Sequence, residues 1–366
     1  GAGGGRPAHA PGRGVSERTG IAARVVAWQR HHGRHDLPWQ RTRDPYRLWV
    51  SEIMLQQTQV ATVIPYFGRF MARFPDVAAL ARAPDEEVMR HWSGLGYYAR
   101  ARNLHRAARG VVARHGGRFP ATAAEVEALP GIGRSTAAAI LAFSAGARLA
   151  ILDGNVKRVL ARHFGIAGAA DSASVLRELW GLAESLLPAR GIEAYTQGLM
   201  DLGATVCTRS RPGCAACPVS ATCVALRDGR VAELPGRRPA RAAKVREIAM
   251  LAVVSGGGVL LERRPGAGIW GGLWSLPEAP AEADPVAHAA KALGIRVATA
   301  EALPPFRHAF THFTLAVTPW LLRAGRRAAR AREPSGSTWL ALEEVAAAAL
   351  PAPVKRLLAG LGRPGP

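Results

Sequence analysis

At 366 residues, with 48% hydrophobic content and a mean hydropathy of +0.02, the chain is long enough for two or three cores and carries no apolar run fit to span a bilayer. Its 48 basic residues against 27 acidic ones give a formal charge of +21 and a pI near 11.3, which excludes an acidic surface and favours a polyanionic partner, most simply nucleic acid. Only four of the basic residues are lysines, and Ala, Gly and Pro are abundant, as a compositional bias also produces; the charge supports DNA binding and the motifs have to establish it.

The leader Gly1–Gly20 is rich in Gly, Pro and Arg, lacks an apolar segment of signal-peptide type, and is expected to be a disordered arm. Ile21–His32 places Ile21, Val25, Val26 and Trp28 at helical spacing, with Gly33 as a stop. A loop containing Trp39 precedes Asp44-Pro45-Tyr46, which opens a helix predicted over Arg47–Thr62. Glu52 lies in that helix among Val50, Ile53, Met54 and Leu55; a lone helical Glu ordinarily takes the solvent edge. Helices then alternate with breaks at Phe74-Pro75 and Ala83-Pro84, and Gly94 and Gly96 come just before Tyr97-Tyr98, by themselves an ordinary helix junction.

Leu129-Pro130-Gly131-Ile132-Gly133-Arg134 sits between helices predicted at Thr122–Ala128 and Ser135–Phe143. Its glycines permit a tight turn, and a helix N-terminus approached without Cβ atoms at Gly131 and Gly133 suits a phosphate oxygen. Twenty positions after Gly133 comes Asp153, between the apolar run Leu149–Leu152 and the periodic segment Val156–Leu160. Taken singly, the first feature is a turn and the second a helix N-cap.

Helices are predicted over Ser172–Leu187 and Ile192–Leu202. All four cysteines then fall in one window, Cys207, Cys214, Cys217 and Cys223. Two disulfides do not suit a chain without a secretory signal, and zinc more usually shows two separated Cys-x-x-Cys pairs; four thiolates at irregular spacing suit a [4Fe–4S] cluster better. Beyond a Pro- and Arg-rich linker the pattern becomes strand-like: Ile248–Ser255, a glycine turn and Val259–Arg263 read as a hairpin. Further strands are predicted at Thr314–Arg323 and Thr338–Leu340, with helices at Pro285–Leu293 and Glu343–Leu350.

The hairpin with Asp153 behind it resembles the helix-hairpin-helix DNA glycosylases. The segment SEIMLQQTQVATVIPYF, Ser51–Phe67, sharpens this to the adenine glycosylases of the MutY type, and the resemblance covers roughly Ile21–Gly360. It implies a multidomain chain: an all-α helix-hairpin-helix glycosylase domain over residues 21–225 with its [4Fe–4S] cluster loop, a linker over 226–246, and an α+β Nudix-like (MutT-like) domain over 247–366. Gly268–Pro277 resembles the opening of a Nudix fold, yet before Gly294-Ile295, where a Nudix helix supplies magnesium-binding carboxylates, stand His288, Lys291 and Ala292. The domain is therefore expected to recognise rather than hydrolyse.

The implied reaction is removal of adenine opposite 8-oxoguanine or guanine in double-stranded DNA, leaving an abasic site. Such a cleavage resembles glycoside hydrolysis, which needs one carboxyl as acid and another kept ionised against an oxocarbenium-like state. By resemblance Glu52 protonates adenine N7, Asp153 stabilises the sugar cation, and Asn155 assists. Gln56, Gln57 and Thr58 are implied near the opened base pair, Leu95 on DNA and Tyr97 beside the oxidised guanine, while Trp39 and Gln197 belong to the adenine pocket. Leu129, Gly131, Gly133, Ser135 and Lys157 are expected on DNA, with Arg209 and Arg211 meeting phosphates from the cysteine loop. Phe310, Thr311 and His312 match the loop that reads 8-oxoguanine, with Thr311 where the family usually has Ser.

Bifunctional relatives carry a lyase Lys where this chain has Ser135, so a monofunctional enzyme is expected, with Lys157 the first suspect for any slow strand cleavage. The expected setting is cytoplasmic and nucleoid-associated, as a monomer and without a membrane. Two alternatives stand beside this reading: a glycosylase of the superfamily for another lesion, and a non-catalytic, redox-sensing DNA-binding protein.

Overall fold

The structure is a computed structural model that describes residues 15–236, 244–266, 268–310, 312–325 and 336–361, with side chains from Gly20 onward. They fall into two compact units, Gly1–Gln56 with Arg118–Pro239, and Gln57–Gly117 with Ala240–Pro366. Among the described residues no helix is long and apolar enough to cross a membrane. Of the arm expected over Gly1–Gly20, residues up to Gly14 lie outside the described set; the remainder is already helical, because α1 runs Val15–His32 rather than from Ile21.

The first unit is helical. α2, Pro45–Leu55, starts where the Asp44 side chain accepts from the Tyr46 amide at 2.9 Å and Pro45 fills a position that needs no donor. α7 (Ala123–Glu127) is opened by a capping box in which Thr122 and Glu125 bond reciprocally. It leads through the hairpin into α8 (Arg134–Ala145), and α9 (Gly154–Phe164), α10 (Ala173–Ser185) and α11 (Ile192–Asp201) follow. One core ties them: Val25 of α1, Ala142 of α8, Ile151 and Leu152 of the connecting segment, Leu160, Leu179 and Leu199 are buried together. The helix predicted to end at Leu202 instead passes into a π-helical turn, Leu202–Val206, which delivers the chain to Cys207. A short helix, Val224–Arg227 (α12), closes the cysteine segment.

The helix predicted as continuous over Arg47–Thr62 is broken. α2 ends at Leu55, Gln57 takes a left-handed φ of 57°, and α3 begins at Val60 and runs to Arg73. A non-glycine residue in that region ends α-helical hydrogen bonding, so Glu52 stands in the last turn of α2 rather than in a helix interior.

In the second unit α3 is followed by α4 (Val77–Arg82), α5 (Asp85–Trp92) and α6 (Ala99–His115). Phe70 packs on Phe74 at 4.8 Å and on Trp92 at 6.0 Å between ring centroids. The other half is a mixed sheet. β1 (Lys244–Ser255) pairs in parallel with β7 (Phe313–Ala324) from Lys244↔Phe313 to Val254↔Arg323, and turns through Gly256-Gly257 into antiparallel β2 (Gly258–Arg263). The path β3-β2-β1-β7-β5 is completed by β3 (Trp274–Ser275) and β5 (Val297–Ala302); β4 (Glu278–Pro280), β6 (Phe306–Ala309) and β8 (Ser337–Ala341) pair with β1, β7 and β2. α13, Pro285–Leu293, places Ala289 and Leu293 on the sheet core with Leu251, Val253 and Leu260. The helix predicted over Glu343–Leu350 is a single 3-10 turn, Leu342–Glu344, and the helix proper, α14, comes after Pro351 at Ala352–Leu361. Pro351 cannot continue a helix from its N-terminal side, but readily stands just before the start of one.

Candidate active site

The first unit brings Glu52 and Asp153 into one electrostatic neighbourhood. Glu52 is half-buried as a residue, yet its carboxyl is withdrawn from water, and that desolvation, reinforced by the charge of Asp153, pushes it up to about 8. Asp153 caps α9: one oxygen accepts from the Val156 amide at 2.8 Å and the other from Asn155 Nδ2 at 3.3 Å. Burial raises Asp153 as well, while these donors and Arg158 oppose the rise. Of two neighbouring carboxyls, therefore, one has little to stabilise its anion and the other has amide donors arranged for it.

Asn155 is itself held. Arg158 donates to Asn155 Oδ1 at 2.8 Å, to the Gly203 carbonyl at 2.6 Å and to the Cys207 carbonyl at 2.7 Å, so the cap of α9 and the start of the cysteine loop share one guanidinium. Gly203 is required by close approach: a Cβ there would meet Asn155 at 2.5 Å from its own Cβ and 2.9 Å from its Cα.

In the hairpin, Gly131 takes a φ of 82° and a Cβ at Gly133 would meet nothing within 4 Å, leaving the N-terminus of α8 open. Leu129 is buried and anchors the turn. Ser135 accepts from the Leu152 amide at 2.9 Å, tying the hairpin helix to the residue before Asp153. Gln56 donates to Thr136 at 3.5 Å, and Lys157 is half-buried on the first turn of α9. Trp39 is buried in a 3-10 turn, Pro38–Arg41, and Gln197 donates to Asp201 at 2.8 Å, a fully buried carboxylate also held by Arg34 at 2.6 Å.

Cys207, Cys214, Cys217 and Cys223 are unpaired by disulfides and line a single cavity with Val206, Leu226 and Val231. Burial pushes the Cys217 thiol up to about 11, with the other three cysteines adding to the rise. Among the described residues no three His, Cys, Asp or Glu converge closely enough to hold a single ion. Four thiols around a cavity fit a multi-atom cluster with thiolate ligands better than one tetrahedral ion. Arg162, buried, braces this loop by donating to the carbonyls of Thr208 at 2.7 Å, Arg209 at 3.2 Å and Leu234 at 2.8 Å. The Arg209 and Arg211 side chains are exposed on the same loop.

The second unit holds the other expected residues. Tyr97 is 50% exposed with a φ of 47°, while Leu95 beside it is buried. Gly94 takes a φ of 104°, and a Cβ there would collide with the Tyr66 hydroxyl. Buried Arg100 organises this turn, donating to Leu95 O at 3.2 Å, Gly96 O at 3.1 Å and Thr58 at 3.1 Å, with its guanidinium over the Trp92 and Tyr97 rings. Phe310 and exposed His312 lie at the tip between β6 and β7; Thr311 is outside the described residues. Phe310 stacks on Phe313 at 4.8 Å and contacts His308 and Trp270, the latter buried with a φ of 54°.

Sequence reasoning missed Arg100, Arg158, Arg162 and Gly203. Arginines in so basic a chain look like surface, and nothing in the order of residues marks Arg100 and Arg162 as buried or Arg158 as half-buried.

Residues 50–185, which carry this hairpin and both carboxyls, match the HhH-GPD superfamily of base excision DNA repair proteins, and residues 249–360 match the NUDIX domain. A thermostable thymine-DNA glycosylase superposes with a TM-score of 0.54 at 30% identity, covering 58% of this chain and 98% of that one. Endonuclease III from a non-covalent DNA complex gives 0.51 at 20% identity, over 59% of this chain and 98% of that one, and so shows the fold alone. The chain is 34% identical to the adenine DNA glycosylase of Buchnera aphidicola subsp. Acyrthosiphon pisum over 91% of its own length and 95% of that protein. Identity to the adenine DNA glycosylase of Homo sapiens is also 34%, over 94% of this chain and 74% of that protein. The chain belongs to the adenine DNA glycosylase family, enzymes of base excision repair that hydrolyse N-glycosyl bonds.

Proposed function

We propose that the enzyme removes adenine mispaired with 8-oxoguanine or guanine in duplex DNA, with Glu52 as general acid and Asp153 as the charge that faces the sugar cation. The observation that carries the chemistry is the split between the two carboxyls. Adenine is a poor leaving group as an anion, so its departure needs protonation at N7; a carboxyl at about 8 holds that proton at neutral pH. Asp153, supplied with the Val156 amide and Asn155, is the partner fitted to stay ionised as positive charge develops at the sugar. Asn155 fixes the orientation of the Asp153 carboxylate, and Arg158 fixes Asn155.

The open N-terminus of α8 supports a phosphate contact, and exposed Arg209 and Arg211 support two more. Tyr97 is the wedge that fills the stack beside the flipped nucleotide, and Phe310 with His312 reads the oxidised base. Cys207, Cys214, Cys217 and Cys223 would hold a [4Fe–4S] cluster, which when bound cross-links the loop that carries the arginines. Ser135 is engaged in structure at the position of a lyase amine, so the enzyme is monofunctional.

The test is single-turnover excision on duplexes with adenine opposite 8-oxoguanine, guanine or thymine, and on one with an oxidised pyrimidine, read with and without alkali. Adenine release opposite the two purines, with strand breaks only after alkali, is the expected result. Excision of the pyrimidine lesion with direct strand cleavage would sink the reading.

A further inference from the structure

Within the second unit, α5, α6 and the segment after β2 form a cleft, open to solvent, of about 360 Å³ lined by Arg102, Arg106, Arg109 and Arg263, with His105 and Asp85. Arg102, Arg106 and Arg109 lie on one face of α6, at positions i, i+4 and i+7, while Arg263 ends β2 and reaches the same space from a distant part of the chain. Asp85 is the one carboxylate on the wall, and it is already engaged by Arg109 at 2.8 Å and by His105 at 3.0 Å. His105 is buried, and burial holds its imidazole below the usual range, so it adds little charge near neutral pH. Arg102 donates to the Gly271 carbonyl, which fixes its half-buried guanidinium at the rim. Arg106 donates within its own helix, to Asn103 at 2.9 Å. Among the described residues neither Arg106 nor Arg263 has a carboxylate partner.

An ordinary solvated basic face spreads its charges, because like charges brought together repel. Here four arginines from two parts of the chain, Arg102 half-buried and the other three exposed, line one open cleft with a single, already paired carboxylate. The volume falls in the range of small-ligand sites. Guanidinium forks match the oxygens of a phosphate, donating two parallel N–H bonds to it. We propose that this cavity is a phosphate-binding site, taking either the phosphates of a small ligand such as a nucleoside polyphosphate or a phosphate of the DNA backbone. The inference does not rest on which base the enzyme excises, and its test uses binding rather than excision.

Full-length protein, the double variant Arg106→Ala/Arg263→Ala, and Arg177→Ala/Arg190→Ala, which removes the same charge from exposed positions of the first unit, would be compared. Calorimetric titration with pyrophosphate at fixed ionic strength forms one arm, and duplex binding by fluorescence anisotropy across a salt series forms the other. Pyrophosphate binding that falls at least tenfold in the cavity variant and is unchanged in the control assigns the site to a free phosphate ligand. No pyrophosphate binding, with a salt slope for DNA that falls by about 2 in the cavity variant alone, assigns it to the backbone. Equal behaviour of the two variants in both arms overturns the proposal.

Discussion

In the first unit the groups assigned to chemistry are kept from water; in the second the groups assigned to reading are pushed into it. Glu52 is raised to about 8 by desolvation, whereas Tyr97 stands half exposed on a left-handed backbone and His312 is exposed at a hairpin tip. The difference follows from the tasks. A carboxyl becomes a proton donor at neutral pH only if its anion is poorly solvated, and burial does that. A stacking or base-reading side chain must meet its partner at the surface, so it is held by what lies under it: Arg100 beneath the Tyr97 turn, Trp270 and Phe313 against Phe310. Left-handed φ values at Gln57, Tyr97 and Trp270 fall at or beside these reading elements, where local strain is tolerated because surrounding contacts over-determine the backbone.

Glu52→Gln breaks the comparison most severely. It keeps the shape and removes the proton, and single-turnover excision should fall by roughly 10³–10⁴-fold, with duplex affinity by anisotropy unchanged. Asp153→Asn keeps the cap on α9 but removes the charge, and a loss of about 10²–10³-fold is expected in the same assay. Tyr97→Ala acts on the other unit: the preference for adenine opposite 8-oxoguanine over guanine should narrow by roughly tenfold, about 1.4 kcal/mol, while the pH dependence of excision stays where it was. A shifted pH dependence would show that the two designs are not separable. The smallest effect is that of Arg211→Ala, which should weaken binding to all duplexes a fewfold and lower the salt slope by about 1; an unchanged slope would remove Arg211 from the interface.

Much of this was legible in the order of residues. Glu52 in its apolar surroundings, the Gly131/Gly133 hairpin with Asp153 at a fixed distance, the clustered cysteines, and the change to strands after the Pro/Arg-rich stretch each have a local signature. The break after α2 has none: Gln56-Gln57-Thr58-Gln59 contains neither Gly nor Pro, and only tertiary contacts can impose a positive φ on Gln57. β3, β4 and β6, at two to four residues, are too short for alternation to register, and they exist because β1, β2 and β7 offer paired edges. Arg100, Arg158 and Arg162 were invisible for the opposite reason, since their residue type signals the surface, while Arg100 is buried over its own turn and Arg158 and Arg162 are held by carbonyls from distant loops.

The most direct measurement is the pH dependence of single-turnover adenine excision opposite 8-oxoguanine, alongside thermal unfolding of the wild type and Glu52→Gln. Because the folded value of Glu52 lies above its unfolded value near 4.5, the stability it confers is fully present below that pH and is lost as pH rises through about 8. Excision should hold steady up to about pH 8 and then fall about tenfold per unit. Glu52→Gln should gain stability relative to the wild type as pH rises from about 4.5 to about 8, and the difference should level off above that. Excision that rises through pH 8, or a Glu52→Gln protein that unfolds in parallel with the wild type at every pH, would contradict the assignment of Glu52 as the buried acid.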